Sequence, residues 1–388
     1  MDTTTAFRGL ECVDCGATAP DGSYRCPDCG GLLRGTYDAD AVPDAGDLNG
    51  RDPGPYRVAE LLPFSRDDAV TMDEGATPAT ACPSLADEFG VDRLLVKDEG
   101  RNPTGAATDR GLSLAVTAAR DGDAAAVALP TTGNGGQSAA AYAGRAGLDS
   151  HSVVPSRCPF VNKAMINVHG GDMNVVEGRY PDAVEAYEDG REDDWAPVGP
   201  ASPYRREGLK GIYFEVAAAL SWSAPDALVV PTGHGTTLAA TDAAATQLAD
   251  AGVVAETPRL YAAQPTGCAP VVDAVADGEV VPAEQPDSIV GSLEVPDPVL
   301  GDRAAAAVRE SGGEGVAVDD DDALAAAVDA AGDTGLEVGA TGGVGVAAAR
   351  ELADLGAFDA DDAVAVVNPV AGGKEDDLLR SHLMTRGV

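Results

Sequence analysis

The sequence predicts an α/β protein in which strands and helices alternate around parallel sheets. Three observations support this: short apolar strand-like runs are followed by helical runs, glycine-rich turns stand at two strand ends, and the 388 residues suffice for two or three domains. The hydrophobic content of 44% is ordinary for a folded protein and excludes a disordered chain. We therefore expect more than one hydrophobic core.

From about residue 76 onward, the predicted elements follow one another in strand–loop–helix order. The predicted strands cover 94–96, 124–129, 152–154, 173–176, 227–230 and 363–367. The predicted helices cover 111–120, 138–146, 182–187, 211–220, 236–248, 304–311, 321–331 and 344–355. Residues 36–75 are rich in Asp, Pro and Gly and predict a connecting arm. Because helices connect successive strands, the sheets should be parallel.

The chain carries a large negative charge. Lys and Arg number 26 against 64 Asp and Glu, a formal net charge of −38, and only Lys97, Lys163, Lys210 and Lys374 are lysines. This charge excludes nonspecific attraction to nucleic acid or to an anionic membrane. A surface rich in Asp and poor in Lys favours solubility at very high salt, because salt screens the self-repulsion. We expect a halophilic, cytoplasmic protein, since no signal peptide or long apolar stretch is visible.

Four cysteines near the N-terminus have the spacing of a metal site. They form two CxxC pairs, Cys12 with Cys15 and Cys26 with Cys29, separated by ten residues. Two such turns bring four thiolates into a tetrahedral site that suits zinc. Few arginines flank the pairs, so a structural role is expected rather than nucleic-acid binding. The pattern predicts a zinc ribbon over residues 1–36, with a reduced, metal-free remnant as the alternative.

Two glycine-rich loops stand between a predicted strand and a helix. They cover 131–136 and 231–235. Free N–H groups at a helix start bind anions, and glycine allows a phosphate to approach closely. Neither loop has the lysine of a P-loop or the fingerprint of a dinucleotide fold. A third glycine stretch, 339–345, is predicted to serve packing.

Several segments together resemble one enzyme family. Lys97–Gly111 (KDEGRNPTGAATDRG) is similar to the segment K-x-E-G-x-N-P-T-G-S-F-K-D-R-G of threonine synthases. Further similar segments follow in the same order: Thr131–Asn134, Ala139–Gly147, Ser202–Lys210, Pro231–Thr237, Gln264–Pro270, Glu337 and Gly372–Asp376. The chain thus resembles, over nearly its whole length, a family of pyridoxal-phosphate (PLP) enzymes of fold type II, part of which carries an N-terminal zinc ribbon.

The resemblance implies the fold type II architecture, related to the tryptophan synthase β chain, with two α/β lobes. After the ribbon we expect a connecting arm and the first part of the large lobe (37–111), the small lobe (112–200) and the rest of the large lobe (201–388). A ligand would bind between the lobes at the carboxyl ends of strands. Proteins of this fold are often dimers, so a homodimer is also an expectation.

The sequence departs from the family at the residue that carries its chemistry. The family lysine that forms the Schiff base with PLP is replaced by Thr108, whose hydroxyl cannot form an imine. The family threonine near the pyridine nitrogen falls at Pro369, which has no donor. Lys97 and Lys374 stand where the family itself has lysine, so neither is expected to replace the missing one. We expect PLP catalysis to be lost or altered and PLP to be held noncovalently at most.

The positions that bind anions in the family are largely kept. The resemblance places the PLP-binding residues at Asn134, Gly233, His234, Gly235, Thr236 and Thr237. It places substrate-binding residues at Thr131, Thr132 and Arg205. Arg205 would be a selective anion site in so acidic a protein, and a surface ion pair is its alternative. His234 is either a phosphate ligand or base, or a hydrogen-bonded loop residue.

Three functions are consistent with these observations. The first is a threonine synthase-like protein that binds an anionic amino-acid or phosphate metabolite without the family's PLP catalysis. The second is an active threonine synthase or another PLP lyase, which would make threonine from O-phosphohomoserine. The third is an interaction protein that acts through the zinc ribbon, with the α/β body as a scaffold.

Overall fold

The computed structural model describes residues 2–387 and divides them into two compact units. The first unit comprises the residues up to Ala76 together with Thr108–Phe214 and Thr246–Val253. The second comprises Thr77–Ala107, Glu215–Ala245 and the residues from Val254 onward. The domain limits predicted from the sequence stay a prediction.

The strands of both units, in chain order, are β1 (Phe7–Cys12), β2 (Thr18–Ala19), β3 (Leu33–Tyr37), β4 (Ala79–Ala81), β5 (Arg93–Asp98), β6 (Ala126–Pro130), β7 (Asp149–Pro155), β8 (Asp172–Val176), β9 (Trp195–Pro197), β10 (Ala227–Pro231), β11 (Arg259–Pro265), β12 (Gly315–Val318) and β13 (Ala363–Asn368).

The α-helices, in the same order, are α1 (Ala45–Asn49), α2 (Pro83–Phe89), α3 (Thr108–Asp121), α4 (Asn134–Ala146), α5 (Phe160–Val168), α6 (Tyr180–Gly190), α7 (Pro203–Leu209), α8 (Gly211–Ala219), α9 (Thr236–Asp250), α10 (Pro270–Asp277), α11 (Gly301–Glu310), α12 (Asp320–Thr334), α13 (Ala340–Asp354) and α14 (Asp376–Thr385). Short 3-10 helices cover Ala39–Ala41, Pro55–Leu61, Glu99–Arg101 and Gly372–Lys374.

The second unit is built on a six-stranded sheet in the order β12-β11-β10-β13-β5-β4. All neighbouring strands in it are parallel except β4 and β5. The central strands are continuous apolar runs such as ALVVP in β10, because helices cover both faces of a parallel sheet. Gly345 of α13 packs directly on the sheet, since a Cβ there would lie 2.9 Å from Pro231. The third glycine stretch therefore serves packing, as predicted.

The first unit contains two smaller sheets. Four parallel strands in the order β8-β7-β6-β9 form one of them, with β6 buried and β8 at an edge. The N-terminal strands form the other, an antiparallel sheet in the order β2-β1-β3. Cys12 is the last residue of β1, and β3 contacts α7 through a hydrogen bond between Gly35 and Glu207.

The predicted alternation of strands and helices, and the parallel sheets, are confirmed. The sequence reasoning omitted several elements, among them β11, α5, α7 and α10. It also described 36–75 as an arm, whereas this segment contains short helices and the end of β3. No helix among residues 2–387 is long and apolar enough to span a membrane.

Candidate functional site

Thr108 is the first residue of α3, and its hydroxyl is already bonded within the first unit. The Oγ1 atom lies 2.7 Å from the Ser138 hydroxyl and 3.5 Å from the carbonyl oxygen of Asn134, both in α4. Ser138 in turn donates to the same carbonyl at 3.2 Å. The residue at the position of the family lysine thus ties α3 to α4.

Lys97 lies at the end of β5 with its side chain fully buried. Its ammonium group is 2.9 Å from Glu99 Oε1 and 2.9 Å from Glu215 Oε2. It also donates to the carbonyl oxygen of Thr77 at 2.9 Å and to the Thr77 hydroxyl. Two carboxylates and the oxygens of Thr77 hold this buried amine, so Lys97 has a structural role and is not available as a nucleophile.

Lys210 is likewise buried and paired, in the first unit. Its ammonium group lies 2.6 Å from Glu207 Oε2 and 4.0 Å from the centre of the Tyr37 ring. It donates to the carbonyl oxygen of Leu61 and, at 3.0 Å, to Gln247. These contacts hold it beside the last strand of the N-terminal sheet.

The two remaining lysines also donate to backbone oxygens. Lys374 donates to the carbonyl oxygen of Thr104 at 2.9 Å, and Lys163 donates to that of Ser156 at 3.0 Å. Only Lys163 is appreciably exposed. Each lysine of the chain therefore has a protein acceptor, and none occupies position 108.

Pro369 follows β13 in the second unit. Its carbonyl oxygen accepts a hydrogen bond from the N–H of Ala107 at 2.9 Å, and its own nitrogen carries no hydrogen. A donor to a pyridine nitrogen is therefore absent at this position. Thr108 and Pro369, each considered within its own unit, do not fit a covalently attached PLP, and we derive no chemistry through that group.

The second glycine loop of the second unit leads into α9. Gly235 has a φ of +78°, and a Cβ there would lie 2.7 Å from the carbonyl oxygen of Leu300. The carbonyl oxygen of His234 accepts the N–H of Leu300 at 3.0 Å, and Gly233 lies against Ser292. The 15-residue helix α9 then begins at Thr236, and the N–H groups of its first turn have no carbonyl partner within the helix.

The start of α9 thus brings together the predicted PLP-binding residues of this loop: Gly233, His234, Gly235, Thr236 and Thr237. Such a start can bind an anion through backbone N–H groups and threonine hydroxyls. Protein atoms close the side of this helix start that faces Leu300. A side chain at Gly235 would collide with them, so glycine is required at that position.

The first glycine loop leads from β6 into the 13-residue helix α4 of the first unit. Its glycines leave no room for side chains: a Cβ on Gly133 would lie 2.6 Å from Asn162 Nδ2, and one on Gly136 would lie 3.0 Å from Ser152 Oγ. Thr131 Oγ1 accepts the N–H of Gly133 at 3.1 Å. Thr132 and Asn134 complete the loop, which presents N–H groups and small polar side chains at a helix N-terminus.

Arg205 of α7 lies against this loop. Its Nη2 atom is 3.3 Å from the position of a Cβ on Gly135, and Thr131 Oγ1 is 3.2 Å from the same point. Its Nη1 atom donates to the carbonyl oxygen of Val198 at 3.3 Å. Burial lowers the pKa of Arg205 to about 10, which Tyr180 partly offsets, so the group stays cationic at neutral pH.

Within residues 2–387, no carboxylate pairs with this guanidinium, although the chain contains 64 acidic residues. Thr131 and Arg205 both lie close to Gly135, in the loop that also contains Thr132 and Asn134. The structure adds two residues that the sequence reasoning missed, Ser152 and Asn162.

Three buried side-chain oxygens beside this loop have no hydrogen-bond partner among residues 2–387: Asn134 Oδ1, Ser152 Oγ and Asn162 Oδ1. Such groups are costly unless something bonds them. Ser152 could have been found from the sheet order, because it lies on β7 directly beside Leu129 of β6. Asn162 had no sequence signal, since its position depends on how α5 packs on the loop.

The four N-terminal cysteines form a compact cluster in the first unit. Their sulfur atoms all lie within 4.8 Å of one another, with Cys12–Cys29 at 3.5 Å, Cys15–Cys26 at 3.7 Å and Cys15–Cys29 at 3.5 Å. Four thiolates around zinc at about 2.3 Å stand about 3.8 Å apart. The donor set and spacing therefore fit a tetrahedral zinc ion.

The thiols differ in how readily they ionise. Backbone N–H groups, that of Cys15 first, lower the pKa of Cys12 to about 7. The N–H of Gly31 lowers the pKa of Cys29, but its three neighbouring thiols outweigh this and raise that pKa to about 12. Four thiolates cannot coexist so closely without a cation, which is the role of a bound metal. Zinc itself stays a prediction.

The chain is similar to known proteins over most of its length. Residues 70–369 match the family model of pyridoxal-phosphate dependent enzymes. The chain is 32% identical to a threonine synthase of Methanosarcina acetivorans over 365 residues, covering 92% of this chain and 90% of that protein. The threonine synthase of Methanocaldococcus jannaschii is 30% identical over 376 residues, covering 94% and 93%. The chain belongs to the threonine synthase family.

Solved structures agree at the level of the fold. A fungal L-serine ammonia-lyase from Rhizomucor miehei superposes with a TM-score of 0.70 at 20% identity, covering 80% of this chain and 98% of that one. Diaminopropionate ammonia lyase from Escherichia coli gives a TM-score of 0.70 at 17% identity, covering 82% and 89%. These proteins confirm the predicted fold type II architecture. The threonine synthase family implies PLP, yet Thr108 of this member offers no amine for it.

Proposed function

We propose that this protein is a threonine synthase-like member that binds a small anionic metabolite at the loop before α4 and forms no covalent bond with PLP. The observation that carries the proposal is the Arg205 guanidinium, which is half-buried, cationic and, within residues 2–387, without a carboxylate partner in a strongly acidic chain. A charged group in that situation favours an anionic ligand.

The remaining groups of the site support the same ligand class. The N-terminus of α4 adds backbone donors, and the Thr131 and Ser152 hydroxyls add side-chain donors. A phosphate ester, or the free carboxylate of an amino acid, presents the anionic oxygens that such a group of donors would bond.

Binding of inorganic phosphate tests the proposal directly. We expect calorimetry at fixed salt to show binding that Arg205→Gln weakens by about 30-fold to 150-fold, because a charged hydrogen bond is worth about 2–3 kcal/mol. Arg145→Gln is the matched control, since Arg145 is exposed at the other end of α4 and its loss changes the net charge equally. Equal Kd values for the two variants would contradict the proposal.

An active threonine synthase is the second candidate, favoured by the 32% and 30% identity to threonine synthases over most of the chain. It requires PLP to act without the family lysine, so the two candidates differ in covalent attachment. Borohydride reduction of the protein incubated with PLP, followed by mass spectrometry, distinguishes them. A Thr108→Lys variant is the positive control for attachment. Formation of threonine and phosphate from O-phosphohomoserine by the natural chain would establish the second candidate.

A further inference from the structure

The short helix α7 carries adjacent charged residues that face different neighbours in the first unit. Arg205 lies against the anion-binding loop, as described above. Arg206 and Glu207 instead bond to β3, the last strand of the N-terminal sheet. One seven-residue helix therefore joins the cysteine-containing sheet to the proposed ligand site.

The contacts between α7 and the N-terminal sheet are numerous and buried. The Glu207 carboxylate accepts the N–H of Gly35 at 3.1 Å and the hydroxyl of Tyr37 at 2.7 Å. The Arg206 guanidinium donates to the carbonyl oxygen of Leu33. Both charged residues are buried, so losing these bonds would cost free energy.

The same strand begins beside the thiols. Leu33 pairs directly with Cys12 across the sheet. The N–H of Cys26 donates to the carbonyl oxygen of Gly31 at 2.9 Å, and a Cβ on Gly31 would lie 3.1 Å from the Cys12 sulfur. The backbone conformation at the start of β3 therefore depends on the positions of Cys12 and Cys26.

On its other side α7 packs closely on α3. A Cβ on Gly208 would lie 2.0 Å from the carbonyl oxygen of Arg110, and one on Gly111 would lie 2.6 Å from that of Arg205. A helix of seven residues is not stable by itself. Its position is therefore set by these two neighbours, and a shift of β3 would be transmitted to Arg205.

We propose that metal binding at Cys12, Cys15, Cys26 and Cys29 positions Arg205 through β3 and α7, and thereby controls anion affinity at the loop before α4. This inference rests on the proposed function for its ligand. Cys12 pairs with Leu33 across the sheet, and the carbonyl oxygen of Leu33 accepts a hydrogen bond from Arg206. Arg206 and Arg205 are neighbours in α7. Glu207, Arg206 and Tyr37 act as positioning residues and do not contact the ligand.

Phosphate binding by the full chain in zinc-loaded, chelator-treated and zinc-reloaded form tests the coupling. We expect the Kd for inorganic phosphate to rise about tenfold on zinc removal and to recover on reloading. Amide hydrogen exchange supplies a readout independent of ligand: exchange in α7 should rise on zinc removal, whereas exchange in α12 of the second unit should not.

Two variants separate the coupling from general unfolding. Tyr37→Phe removes only the hydroxyl bonded to Glu207 and keeps the four thiols, so it should weaken phosphate binding at unchanged zinc content. Arg34→Gln is the matched control, because Arg34 is on the same strand and its side chain pairs with Glu11 at the exposed surface. It should leave the phosphate Kd unchanged.

The outcomes also distinguish this inference from the proposed function. If zinc removal and Tyr37→Phe leave both the phosphate Kd and α7 exchange unchanged while Arg205→Gln abolishes binding, the coupling is wrong and the proposed function stands. If the natural chain binds no phosphate, the proposed function fails, and the exchange in α7 alone decides whether the cysteine cluster positions this helix.

Discussion

At the residue scale, Thr108 occupies the position of the family's cofactor lysine and bonds to Ser138 across α3 and α4 at 2.7 Å. The hydroxyl has a protein partner, so the replacement leaves no unsatisfied group behind. Lys97, eleven residues earlier, is held by two glutamates and cannot take over as a nucleophile. The two observations together explain why this member is expected to interact with PLP differently from its relatives.

Within α7, Glu207 is the residue whose ionisation should contribute most to the pH dependence of the unfolding free energy. Burial raises the pKa of Glu207, but Lys210 and Arg206 outweigh it and hold that pKa below its usual range. Because the pKa of Glu207 is lower in the folded than in the unfolded chain, its ionised form stabilises the fold at pH values above the unfolded-state pKa. This stabilisation is lost as the pH falls through the folded-state pKa.

We therefore expect Glu207→Gln to lower the unfolding free energy by about 3 kcal/mol at neutral pH, since it leaves Lys210 buried without its carboxylate. The difference from the natural chain should shrink as the pH falls below about 4. Denaturant melts across pH measure it. Glu185→Gln, on α6, is the control. A difference that persists unchanged at acidic pH would contradict this assignment.

Individual residues could be predicted from the sequence only where they belong to a recognisable motif. The CxxC spacing led to the cysteine cluster, and the resemblance led to Thr108 and Arg205. Ser138 as the partner of Thr108, and Asn162 beside Gly133, depend on how α3 and α5 pack, which no local pattern encodes. That no carboxylate of residues 2–387 pairs with Arg205 is also evident only from the folded chain.

At the element scale, the contact between α12 and α13 depends on glycine. A Cβ on Gly343 of α13 would lie 2.1 Å from the carbonyl oxygen of Ala323 in α12. Backbone cannot give way as a flexible side chain can, so the two helices would have to separate.

We expect Gly343→Ala to lower the unfolding free energy by about 2–3 kcal/mol, because it overpacks a buried contact. Gly332→Ala in α12 is the matched control: nothing lies within 4 Å of its Cβ position. Alanine is the better helix former, so that control should gain up to about 1 kcal/mol. Thermal melts compare the two, and equal shifts would contradict the packing role of Gly343.

The elements that the sequence reasoning omitted have weak local signals. The helix α7 starts at Pro203 and continues with charged residues, so its sequence shows no amphipathic period. Its stability comes from β3 and α3, as the buried bonds of Arg206 and Glu207 show. Strand β11 lies within an almost fully buried sheet position, where apolar and polar residues no longer alternate.

At the scale of the whole molecule, the acidic residues that give the net charge of −38 have two different roles. Most are exposed and repel one another, whereas Glu99, Glu207 and Glu215 are buried beside lysines and stabilise the fold. Salt screens exposed charges strongly and buried pairs weakly.

Stability should therefore rise with salt. The Debye length falls from about 10 Å at 0.1 M to about 3 Å at 1 M, so repulsion between exposed carboxylates is largely removed over this range. We expect the Tm to increase by on the order of 10 °C in potassium chloride between these concentrations. Calorimetry or circular dichroism at fixed pH measures it.

Removing exposed charge should imitate part of the effect of salt. Asp193→Asn combined with Asp194→Asn takes two exposed carboxylates from the loop before β9. This variant should melt at a higher temperature than the natural chain at low salt and should show a smaller increase on adding salt. If the natural chain and the variant respond identically to salt, and the Tm of the natural chain stays constant, then repulsion among the 64 acidic residues does not limit stability. The scarcity of lysine would in that case need another physical cause than adaptation to salt.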